Sequence, residues 1–447
     1  MKKILSISLF AALFLVGCEE STITPVEPTV ETYDVSIQLD YPDALEAAEG
    51  IKVTLTSTLG VILDTLTNDS GLVTFNVPAG VYQASASEQR ASDGSLTLLN
   101  GQTTSFSVSS SWDETSVISL PLVASTSGQV VIKEFYFAGC QDDTGEGDYT
   151  FDKYVILYNN SDMEATLNNV VIGTSYGNAH ASTLDYDDAG QLNFVNETWT
   201  PLWSSVAYTQ GEVVIPARGE ITIALNGGID HTLTYSKSVD LSNVDYVIYD
   251  PEQYTSTSYH PAPSATIPTD RYMKAIKVGT GTAFVLGNLC PTVVVFQSPE
   301  DIDLLSYGTD VTNHYWAAGY TSDAFKCLKV EKEWVVDAVE TYSAAYMTEN
   351  RKRLTTDLDA GYVAVTTRQG YTAYRNVDKT ATEAIEGNSD KLVYGYSLGT
   401  DGVVDYGTTD ASGIDAEASI KNGAVIVYKD TNNSVEDFHQ RSISALK

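Results

Sequence analysis

Residues 68–82 read Asn-Asp-Ser-Gly-Leu-Val-Thr-Phe-Asn-Val-Pro-Ala-Gly-Val-Tyr. Val73, Phe75 and Val77 alternate with Thr74 and Asn76, which is the period of a strand with one buried face. Asp69-Ser70-Gly71 before it is turn chemistry and predicts a tight hairpin. Pro78 has no N–H to give to a ladder, so it ends the strand. The same period recurs on both sides. Val35, Ile37, Leu39 and Tyr41 alternate with polar residues, as do Val53 and Leu55, and Phe106 and Val108. Val117, Ile118 and Leu120 close the series. Short alternating runs with Gly and Asn punctuation predict an antiparallel β-sandwich over residues 33–125.

The Asp-x-Gly turn, the strand and the Pro78-x-Gly80-x-Tyr82 turn resemble the carboxypeptidase regulatory-like, or transthyretin-like, β-sandwich, an immunoglobulin-type architecture. The resemblance implies a spacer or docking module with no catalytic residues of its own. A second, larger unit is expected over 128–447, mainly β with few helices. It opens with Val130-Val131-Ile132-Lys133-Glu134-Phe135-Tyr136-Phe137, an acidic loop from Gly139 to Asp148, and then Phe151-Asp152-Lys153-Tyr154-Val155-Ile156-Leu157-Tyr158-Asn159. Leu167 to Gly173, Val213 to Pro216 and Gly219 to Leu225 continue the pattern. This order is similar to a lamin-tail-like immunoglobulin sandwich. Together with His231-Thr232, Val239 to Ser242, Glu333 to Asp337 and the run Asp430 to Phe438, it resembles Bacteroidota outer-membrane lipoproteins of a family classed as a domain of unknown function. That resemblance implies an accessory of TonB-dependent uptake.

Residues 1–17 have the form of a lipoprotein signal peptide. Lys2 and Lys3 precede an apolar run from Ile4 to Val16. A spanning helix needs roughly 20 residues, and this run is too short. Leu15-Val16-Gly17-Cys18 looks like a lipobox, which would make Cys18 the acylated first residue of the mature chain. Glu19 and Glu20 resemble a surface-export signal. Residues 18–32, with Pro25 and Pro28, form a polar, extended tether. The expected location is the outer membrane, lipid-anchored and exposed at the cell surface.

The charge balance agrees with such a place and excludes others. The 447 residues carry 25 Lys+Arg and 59 Asp+Glu, so the net charge is 25 − 59 = −34. Nucleic acids and anionic lipids are bound through basic surfaces, and this chain has none to spare. Beyond Cys18 the cysteines are Cys140, Cys290 and Cys327. Three thiols cannot pair completely, and proximity in sequence points to Cys290–Cys327.

Chemistry is sparsely signalled. Gly173-Thr174-Ser175-Tyr176-Gly177 has the letter pattern of a hydrolase nucleophile elbow, but no helical stripe follows it. His180, His231, His260, His314 and His439 make no local metal clamp and read as scattered loop and edge residues. Acidic clusters lie at 142–148, 185–188 and 430–437. The last, with Asp430, Asn432, Ser434 and Asp437, has oxygen ligands suited to calcium, or simply Asx turns. Trp334, Ala338, Tyr342 and Tyr346 at i, i+4 spacing predict a helix, with a strand as the alternative. Ala424 to Tyr428 predicts a buried strand that brings Phe438 back to the core.

No catalytic residue, metal ligand or cofactor is assigned, and an enzyme is not expected. The first expectation is a binding or accessory protein for nutrients or metal complexes. Its contact face would use Trp199, Trp203, Tyr208, Tyr315 and Trp316, since aromatic groups give area at low entropic cost. A surface hydrolase of glycans or peptides, or a structural subunit of a surface complex, are the alternatives.

Overall fold

The computed structural model describes residues 31–447 except 43–44, 93–94, 127, 176–197, 300, 317–320, 347–351 and 401–408. The chain is mainly β. The first unit has the strands β1 (Thr32–Asp40), β2 (Lys52–Ser57), β3 (Ile62–Leu66), β4 (Leu72–Pro78), β5 (Gly80–Ser92), β6 (Ser95–Gln102), β7 (Phe106–Val108), β8 (Val117–Pro121) and β9 (Val123–Thr126). One sheet has the order β4-β1-β8, and the other β3-β2-β5-β6-β9 with β7 on β5. Val35, Ile37, Leu39, Val53, Leu55, Val73, Phe75 and Val77 meet in one core between them. The period-two reading therefore holds, except that Val117 is exposed and only Leu120 of its strand is buried.

The two turns that frame β4 have clear causes. Asn68, rather than Asp69, organises the first: its Oδ1 accepts from Ser70 N at 3.0 Å and Leu72 N at 2.9 Å. Gly71 takes φ +77, a region costly for side chains with a Cβ. This turn carries the chain from one sheet to the other, so it is an arch and not the hairpin expected. After β4, Tyr82 folds back over Gly80 and donates its hydroxyl to Pro78 O at 2.8 Å. A Cβ on Gly80 would lie 3.1 Å from that ring.

The second unit adds β10 (Val130–Tyr136), β11 (Cys140–Gln141), β12 (Asp148–Tyr149), β13 (Tyr154–Asn159), β14 (Ala165–Leu167), β15 (Val171–Ser175) and β16 (Trp199–Tyr208). It continues with β17 (Val213–Ile215), β18 (Glu220–Ala224), β19 (Tyr246–Ile248), β20 (Tyr272–Ile276), β21 (Thr292–Phe296) and β22 (His314–Trp316). It ends with β23 (Lys326–Glu331), β24 (Val335–Ser343), β25 (Val363–Val365), β26 (Thr372–Arg375) and β27 (Phe438–Arg441). Most pair along one path, β25-β24-β21-β15-β16-β20-β19-β18-β13-β10-β26-β27, with β23 on β16 and β22 on β23. Val363 and Val365 at one end and Phe438 at the other bury in the same core as Ile132, Val155 and Ile172. Four short helices, α1 (Leu304–Thr309), α2 (Lys379–Glu383), α3 (Ala416–Lys421) and α4 (Ser434–Asp437), start on the side chains of Asp303, Asp378, Asp415 and Asn433. No helix among the described residues is long and apolar enough to cross a membrane.

Three expectations are corrected. The Trp334 helix is a 3-10 turn, Lys332–Trp334, followed by β24. Asp337 to Ser343 are all buried, so the strand has no polar face and no alternation to read. Ala424 to Tyr428 is extended and buried at Ile426 and Tyr428, yet it makes only the single bridge Val377–Tyr428. Side chains supply its ladder instead. Asn388 Oδ1 accepts from Val425 N, Thr382 Oγ1 from Val427 N and Asn160 Oδ1 from Tyr428 N, at 2.8, 3.0 and 2.9 Å. The strand that brings Phe438 into the core is β27. Finally, Cys290 and Cys327 form no disulfide, and each is a buried thiol. Cys290 precedes β21 and Cys327 lies on β23, three inter-strand spacings away along β21-β15-β16-β23. That is about 14 Å, and a disulfide spans less than about 7 Å between Cα atoms.

Candidate functional site

The outward side chains of β2 alternate with its buried Val53 and Leu55, and they are Lys52, Thr54 and Thr56. They face the C-terminal part of the second unit across a cleft of about 440 Å³. From the sandwich, Asp64, Gln83, Ser85 and Gln102 also line it. Tyr362, Asn376, Asp410, Ser412, Lys429, Asn433 and Glu436 form the other wall.

That wall is rigid because a buried arginine organises it. Arg375 on β26 donates Nε to Ile132 O at 2.6 Å and Nη1 to Lys429 O at 3.0 Å. Its guanidinium also meets Asp337, with Asp430 at 3.4 Å and Asp437 at 3.7 Å. Asp437 accepts from Thr431 N at 2.8 Å and Thr431 Oγ1 at 2.7 Å. Asp359 accepts from Ser434 N and Glu340 N, both at 2.8 Å. Gly361 passes so close that a Cβ there would sit 2.1 Å from Asn433 Oδ1. The run 430–437 is therefore a closed knot of capping bonds, and its oxygens are used within the fold. This is the Asx-turn alternative, and calcium ligation is not needed to explain it.

The knot also holds the two units together. Asn100 Nδ2 of the sandwich donates to Thr431 O at 2.6 Å, and Lys52 Nζ lies 3.6 Å from Glu436, which also pairs with Lys429 at 2.7 Å. Burial works to raise the Glu436 carboxyl, but Lys429 and Lys52 hold it below the ordinary value. Burial raises Asp410, whose Oδ2 accepts from Val377 N and Oδ1 from Ser412 N at 3.0 and 2.8 Å. Burial pushes Asp337 and Asp437 up to about 7, with Arg375 opposing it. Two lysines against Asp64, Asp410 and Glu436 leave the cleft near neutral in a strongly acidic chain. Its chemistry is that of hydroxyl, amide and paired-charge groups with one aromatic, Tyr362, stacked on Tyr342 at 4.0 Å.

The five aromatic residues expected to form a contact face do not share one. Trp199 and Tyr315 do meet, with ring centroids 5.0 Å apart, and Lys329 lies over Trp199. Trp316 follows Tyr315 on β22, so its side chain leaves the opposite face and lies under Lys326. Tyr208 packs beside Leu328, Trp334 and Tyr307 in an interior cluster. Trp203 reaches Ala324 O at 3.5 Å. Among the described residues Trp199 and Tyr315 form a shared patch, and Trp203 alternates onto the same face of β16.

Ser175 is the last residue of β15 and is buried; Tyr176 and Gly177 lie outside the described residues. The histidines do lie at loops and edges, His231 and His260 between strands, His314 on β22 and His439 on the terminal strand β27, yet all four are buried. His260 is fixed between Ile248 O and Phe284 N, each at 3.0 Å. His439 sits between Asn376 Oδ1 and Tyr396 OH, each at 2.7 Å. No group of metal-ligating side chains forms among the described residues. In the first acidic cluster, Asp142 caps its own loop through Gly145 N at 2.8 Å. Cys18, Glu19, Glu20, His180 and the cluster at 185–188 lie outside the described residues.

The cleft was not anticipated. The polar alternation Lys52, Thr54, Thr56 was a signal for a solvated face, but nothing local indicates that the Asp430 to Asp437 knot stands opposite it.

Residues 218–390 match the family described as "Protein of unknown function (DUF4876)". A solved structure of a DUF4876 family protein from Bacteroides thetaiotaomicron is similar in fold, with 16% identity and a TM-score of 0.51. The match covers 92% of this chain and 96% of that one. A DUF3823 family protein from Parabacteroides merdae matches at 7% identity and a TM-score of 0.16, over 43% of this chain and 79% of that one. A comparison with curated proteins gives no match. The resemblance drawn from the sequence thus agrees with these findings as far as a family of unknown function.

Proposed function

We propose that the chain is a surface-displayed outer-membrane lipoprotein that binds a polar ligand and serves as an accessory of TonB-dependent uptake of a nutrient or metal complex. The observation that carries the binding reading is the cleft, because both units contribute to it and its side chains offer donors and acceptors with nearly balanced charge. Sites of this kind hold a ligand through convergent polar groups rather than through net charge. Anchorage through Cys18, with Glu19 and Glu20 aiding display, comes from the sequence signals. The β-barrel receptor is the expected partner.

A surface hydrolase is the second reading, favoured by the raised Asp410 carboxyl in the cleft, a property general acids need. Against it, both Asp410 oxygens are held by backbone N–H groups of the wall. A role in architecture fits them better than a proton-transfer role.

The test is purification of the native membrane complex through the full chain. Co-purification with a β-barrel receptor, reduced by blocking the cleft with Thr54→Trp, supports the proposal. A lone chain that cleaves glycans or peptides supports the hydrolase. A complex indifferent to Thr54→Trp marks a structural subunit. Retention of Cys18→Ala in the membrane after a carbonate wash would refute the anchor.

A further inference from the structure

The sandwich has two unlike ends. Lys52 and Asn100, which touch the second unit, stand at one level of the sheet, since Val53 pairs with Ala86 and Asn100 with Ser87. The chain from Cys18 enters at the opposite end, where Thr32 of β1 lies across from Pro78. The β2–β3 turn belongs to that same end, because Thr58 N donates to Val81 O at 3.0 Å. Here Leu59 is 91% exposed, Val61 54% and Val81 37%.

This exposure is built into the turn. Ser57 N donates to Val61 O at 2.8 Å, and Ser57 Oγ accepts from Leu59 N at 3.3 Å and Val61 N at 3.0 Å. Gly60 takes φ +81 and closes the turn through its N–H to Ser57 O at 3.0 Å. Leu59 is thus held outward by a bonded frame. The far end of the sandwich exposes one such side chain, Leu66 beside Lys52, and surrounds it with the exposed Glu46, Glu49 and Asp69.

We infer that this tip is a foot that rests in the interfacial layer of a lipid surface, with Leu59, Val61 and Val81 entering it. The inference rests on the anchor at Cys18. Fourteen steps of chain from Cys18 to Thr32, at most about 50 Å, join the sandwich at the end that carries the apolar tip, so that end is the one nearer the anchor. The other half of this end is acidic, with Glu31, Asp34, Asp113 and Glu114 all exposed. Those carboxylates repel anionic headgroups, so the surface it takes is zwitterionic.

The full acylated chain, reconstituted in vesicles of phosphatidylethanolamine and phosphatidylcholine, provides the test. A Thr58→Cys variant carries an environment-sensitive dye at the tip, and Asp69→Cys carries it at the far end as reference. Cys140, Cys290 and Cys327 are buried and do not compete. The expected result is a blue shift and loss of iodide quenching at 58 and neither at 69. Adding Leu59→Asp and Val61→Asp abolishes the shift while the chain stays on the vesicles. Vesicle-bound chain with both dyes equally wet overturns the foot and leaves the anchor standing. Chain that leaves the vesicles altogether overturns the anchor, and the foot with it.

Discussion

The β1–β9 sandwich and the unit that follows it fill their interiors with different chemistry. The sandwich buries Val, Ile, Leu, Phe and Tyr between two sheets, with Tyr82 closing one end through a single bond. In the second unit Arg353, Arg375, Lys133 and Lys153 are among the largest fully buried side chains. Each is matched there. Arg353 Nε meets Glu340 at 3.1 Å, Lys133 meets Glu220 at 2.7 Å and Glu417 at 2.9 Å, and Lys153 donates to Leu286 O at 2.8 Å. An apolar core tolerates small errors of partner, because dispersion and burial are non-directional. A charged interior does not, because each ion left alone pays its desolvation in full. The wall of the cleft is made from the second kind of interior, which suits a surface that must keep its shape.

The sharpest way to break this comparison is Arg375→Ala. It leaves Asp337, Asp430 and Asp437 without the guanidinium between them. The second unit should lose about 3–5 kcal/mol, as expected for a buried ion stripped of its partner. Calorimetry on the full chain should show its transition move while that of the sandwich stays. An unmoved second transition would mean the knot is not held by Arg375.

A smaller effect tests the side-chain ladder. Asn388→Ala removes the bonds to Val425 N and Val425 O, each at 2.8 Å, and should cost the second unit about 2 kcal/mol. Denaturant titration with no change in midpoint would show that the segment is held without the Asn388 bonds. The smallest is Tyr82→Phe, which keeps the ring over Gly80 but removes the bond to Pro78 O. About 1 kcal/mol should be lost, from the sandwich transition only. A loss in the second transition as well would show that the contacts of Asn100 and Lys52 with the knot couple the two unfolding events.

The same contrast explains what could be read in advance. Val73, Phe75 and Val77 revealed β4 because one face is buried and the other wet. The spacing along β24 fits a helix as well as a strand, because both its faces are buried and no alternation marks it. The Val425 segment reads as a strand, but its partners Asn388, Thr382 and Asn160 lie 37 to 268 residues away in the sequence. The knot at 430–437 looked like turn chemistry, and it is. That it answers to Arg375, Asp359 and Asn100 is a fact of tertiary folding, and for that reason the cleft was missed. The aromatic set divides for a simpler cause: Tyr315 and Trp316 are adjacent on a strand and must point apart.

The pH response of the two transitions tests the central claim most directly. Burial raises the Asp337, Asp437 and Glu134 carboxyls to about 7, above their ordinary values in an unfolded chain. The folded second unit therefore holds protons that the unfolded chain has released. The stability this gives is complete below about pH 4 and is lost as pH rises through about 7. Burial holds His260, His439 and Lys153 below their ordinary values, and these groups act in the opposite sense, so the carboxyl contribution is read against Glu134→Gln, which cannot titrate. Scanning calorimetry of both full chains should show the natural second unit losing melting temperature relative to the variant between about pH 5 and about pH 8, with no such difference in the sandwich transition. A difference between the two chains that stays constant over that interval, or that appears in the sandwich transition, would contradict the account.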